Sequence, residues 1–138
     1  MVERLCKAKS IETNQWIEGY YIHLHKTTYC FADENDDSNE IHRLVYEHIT
    51  DWGLPNKHFM VDINPNTLCR CTGLSVSGNL FYEYDRIVCK TKSKSITGVI
   101  IFKNGAFYVE DCDKEVKPKL LSYYIENSEI KIIGNEKD

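Results

Sequence analysis

A chain of 138 residues has the length of one ordinary domain, and its composition, 42% hydrophobic and 28% charged, is typical of a globular rather than a disordered protein. Its apolar runs are only a few residues long, too short for a transmembrane helix. The net charge of −4 argues against a domain-wide basic surface for nucleic acid.

The N-terminus and the cysteines together indicate a reducing compartment. The segment MVERLCKAKSIE mixes charges with few apolar residues and has no hydrophobic stretch of a signal peptide, so we expect the protein in the cytoplasm. Thiols there are normally kept reduced, and free cysteines behave as small, mostly buried apolar residues. The six cysteines are Cys6, Cys30, Cys69, Cys71, Cys89 and Cys112.

The first part of the chain predicts strands and an acidic loop. Residues 15–25 (QWIEGYYIHLH) predict a strand after a turn at residues 12–14, because they are rich in aromatic and β-branched side chains. Residues 27–32 (TTYCFA) predict a second strand, joined to the first by a tight turn. Asp33 to Glu40 has five acids and no base, which predicts an exposed loop.

In the middle of the chain, residues that interrupt secondary structure are easier to identify than the spacing of apolar residues. Residues 41–49 (IHRLVYEHI) fit both helical and strand spacing, and the period alone leaves the two alternatives open. Residues 52–56 (WGLPN) break whatever precedes them, and residues 58–63 (HFMVDI) predict a strand. After a further break at residues 75–79, residues 80–90 predict extended backbone.

The last part of the chain contains the strongest local signal. Asn104-Gly105 within residues 97–110 predicts a hairpin, because a type I′ turn needs positive φ at both central residues. Residues 120–125 predict a short helical turn, and residues 128–134 a final strand. Many short strands and little helix predict a mainly β fold, an antiparallel barrel or sandwich, formed as a single domain over residues 1–138.

Four segments, in this order, resemble the YopX family of phage and prophage proteins. They are QWIEGYYIHL, VDINPNTLCRCTGLSVSGNLFYEYDRIV, TGVIIFKNGAFYVED and SEIKIIGN. The most specific part combines Thr72-Gly73-Leu74, the pair Tyr82-Glu83, and Asp85 at the start of an extended stretch. Each element alone is weak, but four ordered blocks span most of the chain.

The resemblance implies a small β-rich module that is similar to an SH3-type barrel, encoded by phages or prophages and without an established activity. Two positions depart from the family pattern. Tyr84 occupies a place where the family usually has glycine, and Cys71 replaces the usual aromatic residue before Thr72. If position 84 requires positive φ, a tyrosine there is strained.

The residues that could act chemically are not part of any known catalytic motif. Cys69 and Cys71 supply too few thiolates, at an unusual spacing, for a structural zinc site. The five histidines could supply imidazole ligands or a Cys-His pair, but no known motif surrounds them, and surface or hydrogen-bonded strand positions are favoured. They are His23, His25, His42, His48 and His58. We expect no catalytic residue, no metal and no cofactor, and for Asp85 a turn-capping role.

Three functions remain open, and the first is favoured. It is a non-enzymatic module that binds a host or phage protein through the acidic loop or an uncovered sheet edge, with self-association of that edge as a further alternative. The second is a nucleic-acid-binding barrel in which Lys90, Lys92 and Lys94 contact phosphates. The third is an enzyme or redox protein that uses Cys69, Cys71 and a histidine.

Overall fold

A computed structural model describes residues 5–28 and 39–138 of the chain. The chain divides into two compact units, Met1–Leu68 and Cys69–Asp138. The prediction of a single domain over residues 1–138 stays a prediction.

The described part of the first unit contains four strands and one 3₁₀ turn. The strands are β1 (Leu5–Lys9), β2 (Trp16–His25), β3 (Glu40–His48) and β4 (Lys57–Asp62), and the 3₁₀ turn is Pro65–Thr67. They pair antiparallel in the order β4-β3-β2-β1. Gly19 lets β2 pass close to β3, because a Cβ there would lie 2.6 Å from the carbonyl oxygen of Val45.

One face of this sheet forms the core of the first unit. Cys6, Ala8, Leu44 and Ile63 are buried there, and Ile17, Tyr21 and Leu68 pack against them. The opposite face leaves Tyr20, Leu24 and Met60 exposed. The first unit therefore buries one sheet face and presents apolar side chains on the other.

The second unit contains a hairpin, a five-stranded antiparallel sheet and one helix. The hairpin strands are β5 (Cys69–Val76) and β6 (Asn79–Tyr82). The sheet strands are β7 (Asp85–Lys90), β8 (Ser95–Lys103), β9 (Ala106–Asp111), β10 (Lys119–Leu120) and β11 (Glu129–Asn135). They lie in the order β10-β9-β8-β7-β11, and the helix α1 (Leu121–Asn127) leads from β10 to β11.

The core of the second unit joins the helix to the sheet. Leu121 and Tyr124 of α1 are buried together with strand residues, and their close packing is favoured by removal of apolar surface from water. The buried strand residues of this core are Phe81, Ile87, Cys89, Ile100 and Val109.

The prediction of a mainly β fold with antiparallel strands and little helix is confirmed, and one sheet curls as a half-barrel. Asn104 and Gly105 have φ of 51° and 80°, as the predicted type I′ turn between β8 and β9 requires. Residues 41–48 belong to strand β3, which resolves the helix-or-strand alternative. The predicted extended stretch 80–90 is interrupted by a turn at residues 83–84.

Two predictions for the first unit were incomplete. Strand β1 was not predicted, and the described partners of β2 are β1 and β3. Thr27 and Thr28 belong to no strand, and residues 29–32 of that predicted strand and residues 33–38 of the predicted acidic loop lie outside the described residues. Glu40, the last residue of the predicted loop, begins strand β3. The amide of Asn39 joins the two ends of this segment, donating to the carbonyl of Thr27 and accepting from its N–H.

Candidate functional site

Thr72, Gly73 and Leu74 form a bulge within the β5–β6 hairpin. The register shifts between Cys71 and Ser75, so the three residues oppose only Phe81 on the other strand. Gly73 has a φ of +79°, a conformation that glycine adopts without steric penalty. The sequence element that resembles the YopX pattern is therefore a bulge inside strand β5.

The hydroxyl of Thr72 holds the bulge in place. It donates a hydrogen bond to the carbonyl of Phe81 at 2.9 Å and accepts one from the N–H of Leu74 at 3.1 Å. These bonds satisfy backbone groups that the irregular register removes from the ladder. Thr72 thus has a structural role.

Tyr84 adopts a left-handed conformation, with a φ of +68°, at the position where the resemblance leads to an expectation of glycine. Its N–H donates to the carbonyl of Ile100 and its carbonyl accepts from the N–H of Glu136, both at 2.8 Å. An L-residue in this region is disfavoured by about 1–2 kcal/mol. Burial, followed by the charge of Glu83, raises the pKa of the Tyr84 phenol.

Asp85 and Asn135 hold the turn at residues 83–84 from inside. Asp85 is 1% exposed, and its Oδ2 accepts a hydrogen bond from the N–H of Tyr82 at 2.8 Å. Its Oδ1 accepts from Nδ2 of Asn135 at 2.8 Å, and the same amide group also donates to the carbonyl of Glu83. This is the capping role expected for Asp85, reinforced by a side chain from β11.

Glu83 is the second buried carboxylate of this region. It is 6% exposed and forms a bidentate ion pair with Arg70, with N–O distances of 3.0 and 2.9 Å. The guanidinium of Arg70 also lies 4.0 Å from the ring centroid of Phe102. We name Arg70, Glu83, Tyr84, Asp85 and Asn135 the turn cluster.

The contacts of the turn cluster support a structural role. Its two carboxylates accept hydrogen bonds from backbone and side-chain donors, so both groups are used to position the chain. Sequence reasoning identified Tyr82, Glu83 and Asp85 but missed Arg70 and Asn135. No local motif marks either residue, because each lies far along the chain from its partner. Arg70 is 13 residues from Glu83, and Asn135 is 50 residues from Asp85.

The described cysteines are mostly buried. Cys6, Cys69 and Cys89 are buried, Cys71 is half-buried and Cys112 is exposed. Burial raises the pKa of the Cys89 thiol to about 11. Because the thiolate is the reactive form, Cys89 is unsuited to nucleophilic or redox chemistry near neutral pH.

Among the described cysteines, we expect timed alkylation near pH 8 to label Cys112 first and Cys89 at least about a hundredfold more slowly, since the Cys89 thiol is both protonated and buried. Peptide mass spectrometry after each time point measures the rates. Labelling of Cys69 or Cys71 faster than Cys112 would contradict a packing role for these two thiols and support the redox alternative.

The three lysines proposed as phosphate contacts are exposed, but acids accompany two of them. Lys90 at the end of β7 lies opposite Glu129 in the register of β11. Lys94 Nζ lies 4.0 Å from a carboxylate oxygen of Glu115. Lys92 is exposed in the β7–β8 turn. The local charge is therefore closer to balanced than the sequence run indicates.

The structure brings some of the histidines together. His23 and His42 are paired across β2 and β3, and the ring of His25 is next to that of His23. His48 contacts Phe59 edge-on, and His58 lies 3.6 Å from Glu47.

The connection between β3 and β4 displays apolar side chains to solvent. Trp52 is fully exposed, and Ile49 and Leu54 are 79% and 58% exposed. The segment is a defined turn, because the N–H of Leu54 donates to the carbonyl of Asp51 at 3.0 Å and Gly53 has a φ of +83°. The Thr50 hydroxyl donates to the carbonyl of Pro55 at 2.9 Å. We name residues 49–55 the Trp52 loop.

The fold and these sites are not matched by known proteins: no family model, no curated protein and no solved structure matches the chain. Within the described residues, no helix has the length and apolar character needed to cross a membrane.

Proposed function

We propose that this chain is a YopX-like protein of phages or prophages that acts in the bacterial cytoplasm as a non-enzymatic module and binds a host or phage protein. The observation that carries the proposal is the Trp52 loop, which holds Trp52 fully exposed at the corner of a hydrogen-bonded turn. A large aromatic side chain in water is unfavourable unless a partner covers it, and tryptophan is enriched among residues that dominate binding energy.

The strand that follows the loop also exposes apolar side chains and, among the described residues, a free backbone edge. Strand β4, which follows the loop, lies at the edge of the sheet in the first unit and exposes Phe59 and Met60 by 41% and 61%. An edge strand offers backbone N–H and C=O groups to an incoming strand. A partner that pairs with β4 could therefore cover Trp52 as well, and a second copy of the chain is one such partner.

Nucleic acid is the alternative partner and is less favoured. Counterion release requires several uncompensated cations on one surface, whereas Lys90 and Lys94 each have an acid nearby. The Trp52 loop lacks Lys and Arg, since its sequence is ITDWGLP. These features favour a protein surface over a phosphate backbone.

We expect Trp52→Ala to weaken binding of the partner by about thirtyfold or more, which corresponds to about 2 kcal/mol for a residue of this kind. The full chain would be used to isolate partners from a bacterial lysate without nuclease treatment, at low and high salt. Stoichiometric protein retained at high salt and lost with Trp52→Ala supports the proposal.

Tyr123→Ala provides a matched control, because Tyr123 is an exposed aromatic residue, 45% exposed, in the second unit. It should leave partner binding unchanged. Binding that disappears at high salt together with co-purifying nucleic acid, or binding that Trp52→Ala leaves intact, would contradict the proposal.

A further inference from the structure

Two histidines and a glutamate lie on one face of the sheet in the first unit. His23 on β2 is paired in register with His42 on β3, and Glu40 precedes His42 by two residues. Residues two apart on a strand project to the same face, so Glu40 lies beside both rings. The imidazoles of His23 and His42 are stacked, with centroids 4.5 Å apart and planes 13° from parallel.

The distances in this group are close to those of a metal site. Oε1 of Glu40 lies 3.6 Å from Nε2 of His23, and Oε2 lies 3.4 Å from Nε2 of His42. One ligand atom from each residue can be chosen so that all three lie within 4.8 Å of one another. Ligand atoms of a tetrahedral zinc ion are about 3.3–3.4 Å apart, given bonds of about 2.0–2.1 Å. The three ligand atoms therefore have to move closer together, by up to about 1.5 Å, to share one ion.

Tyr21 orients one of the imidazoles. Its hydroxyl is hydrogen-bonded to Nδ1 of His42 at 2.5 Å. When Nδ1 carries the proton and donates to Tyr21, the lone pair of Nε2 faces Glu40. Histidine ligands are commonly fixed in this way by a hydrogen bond at the other ring nitrogen.

We propose that His23, Glu40 and His42 form a binding site for a divalent transition-metal ion, with Tyr21 as a positioning residue. Two imidazoles and a carboxylate suit zinc and neighbouring first-row ions. The side chains of His23 and Glu40 are 41% and 35% exposed, so the site is open to solvent on one side. His25, whose ring centroid is 5.4 Å from that of His23, is available as a further ligand.

The test uses the untagged full chain, reduced with a phosphine, and Zn²⁺ in competition with a colorimetric chelator. We expect one Zn²⁺ per chain with micromolar or tighter affinity. His42→Ala, His23→Ala and Glu40→Gln should each weaken binding more than about tenfold, and Tyr21→Phe by about tenfold. Bound Zn²⁺ should also raise the melting temperature, because it binds only the folded chain tightly.

His58→Ala is the matched control. Nε2 of His58 also lies 3.6 Å from a glutamate, Glu47, but this pair has only one histidine and not two. It should bind Zn²⁺ as the unchanged protein does. The Co²⁺ complex distinguishes this site from the cysteines, because thiolate ligands give an intense near-ultraviolet band that imidazole and carboxylate do not.

Because His23 is partly exposed, His23→Ala should fold, and its circular dichroism spectrum checks this. The proposal is overturned by the absence of saturable Zn²⁺ binding, by a thiolate band in the Co²⁺ complex, or by an affinity that folded His23→Ala leaves unchanged.

Discussion

Asp85→Ala should lower the free energy of unfolding by about 3 kcal/mol, because each buried group left without its hydrogen-bond partner contributes about 1–3 kcal/mol. The substitution removes the acceptor for the N–H of Tyr82 and for the side-chain amide of Asn135. Both groups are buried, so water does not readily replace the carboxylate. Urea unfolding followed by circular dichroism measures the change.

Asp113→Ala is the control, because Asp113 is an exposed acid on the connection that follows β9. A surface substitution of this kind changes stability by less than about 0.5 kcal/mol. An Asp85→Ala protein as stable as this control would show that the turn does not depend on the buried carboxylate.

Arg70→Met should lower the free energy of unfolding by about 2–3 kcal/mol, because it leaves a buried carboxylate without its charged donors. Glu83 is 6% exposed and loses both guanidinium hydrogen bonds, while methionine keeps apolar contact with Phe102. The same urea titration measures the loss.

A double-mutant cycle separates the ion pair from the packing of Arg70. Combining Arg70→Met with Glu83→Gln should be less destabilising than the sum of the single changes by about 1 kcal/mol or more. Strict additivity would show that the ion pair contributes nothing and that Arg70 acts only through its contact with Phe102.

The sequence predicted correctly those turns and strands that depend only on neighbouring residues. Asn104-Gly105 specifies its own turn through backbone dihedrals, and the aromatic and β-branched residues of β2 specify a strand. Strand β3 was ambiguous because apolar residues lie on both faces, Leu44 on one and Val45 on the other. Strand β1 is short and two of its five residues are lysines, so only its pairing with β2 reveals it.

The turn cluster and the histidine group are formed by residues that lie far apart in the chain, and the sequence did not predict these contacts. The resemblance to the family pattern identified Glu83 and Asp85, but Arg70 and Asn135 become visible only when strands assemble. In the same way, the sequence identified His23 and His42 as possible ligands but gave no motif around them. The register of β2 and β3 brings the two histidines together with Glu40. Side-chain chemistry is readable from sequence, whereas long-range register is not.

The left-handed conformation of Tyr84 has a consequence for how this turn can change over evolution. Backbone bonds to Ile100 and Glu136 form whatever the side chain at position 84, so both glycine and tyrosine should be tolerated there, with the L-residue disfavoured by about 1–2 kcal/mol. Asp85 and Asn135 recognise each other directly, so a change in one should persist only with a compensating change in the other. Covariation of positions 85 and 135, more than a glycine at 84, should therefore mark relatives that share this turn.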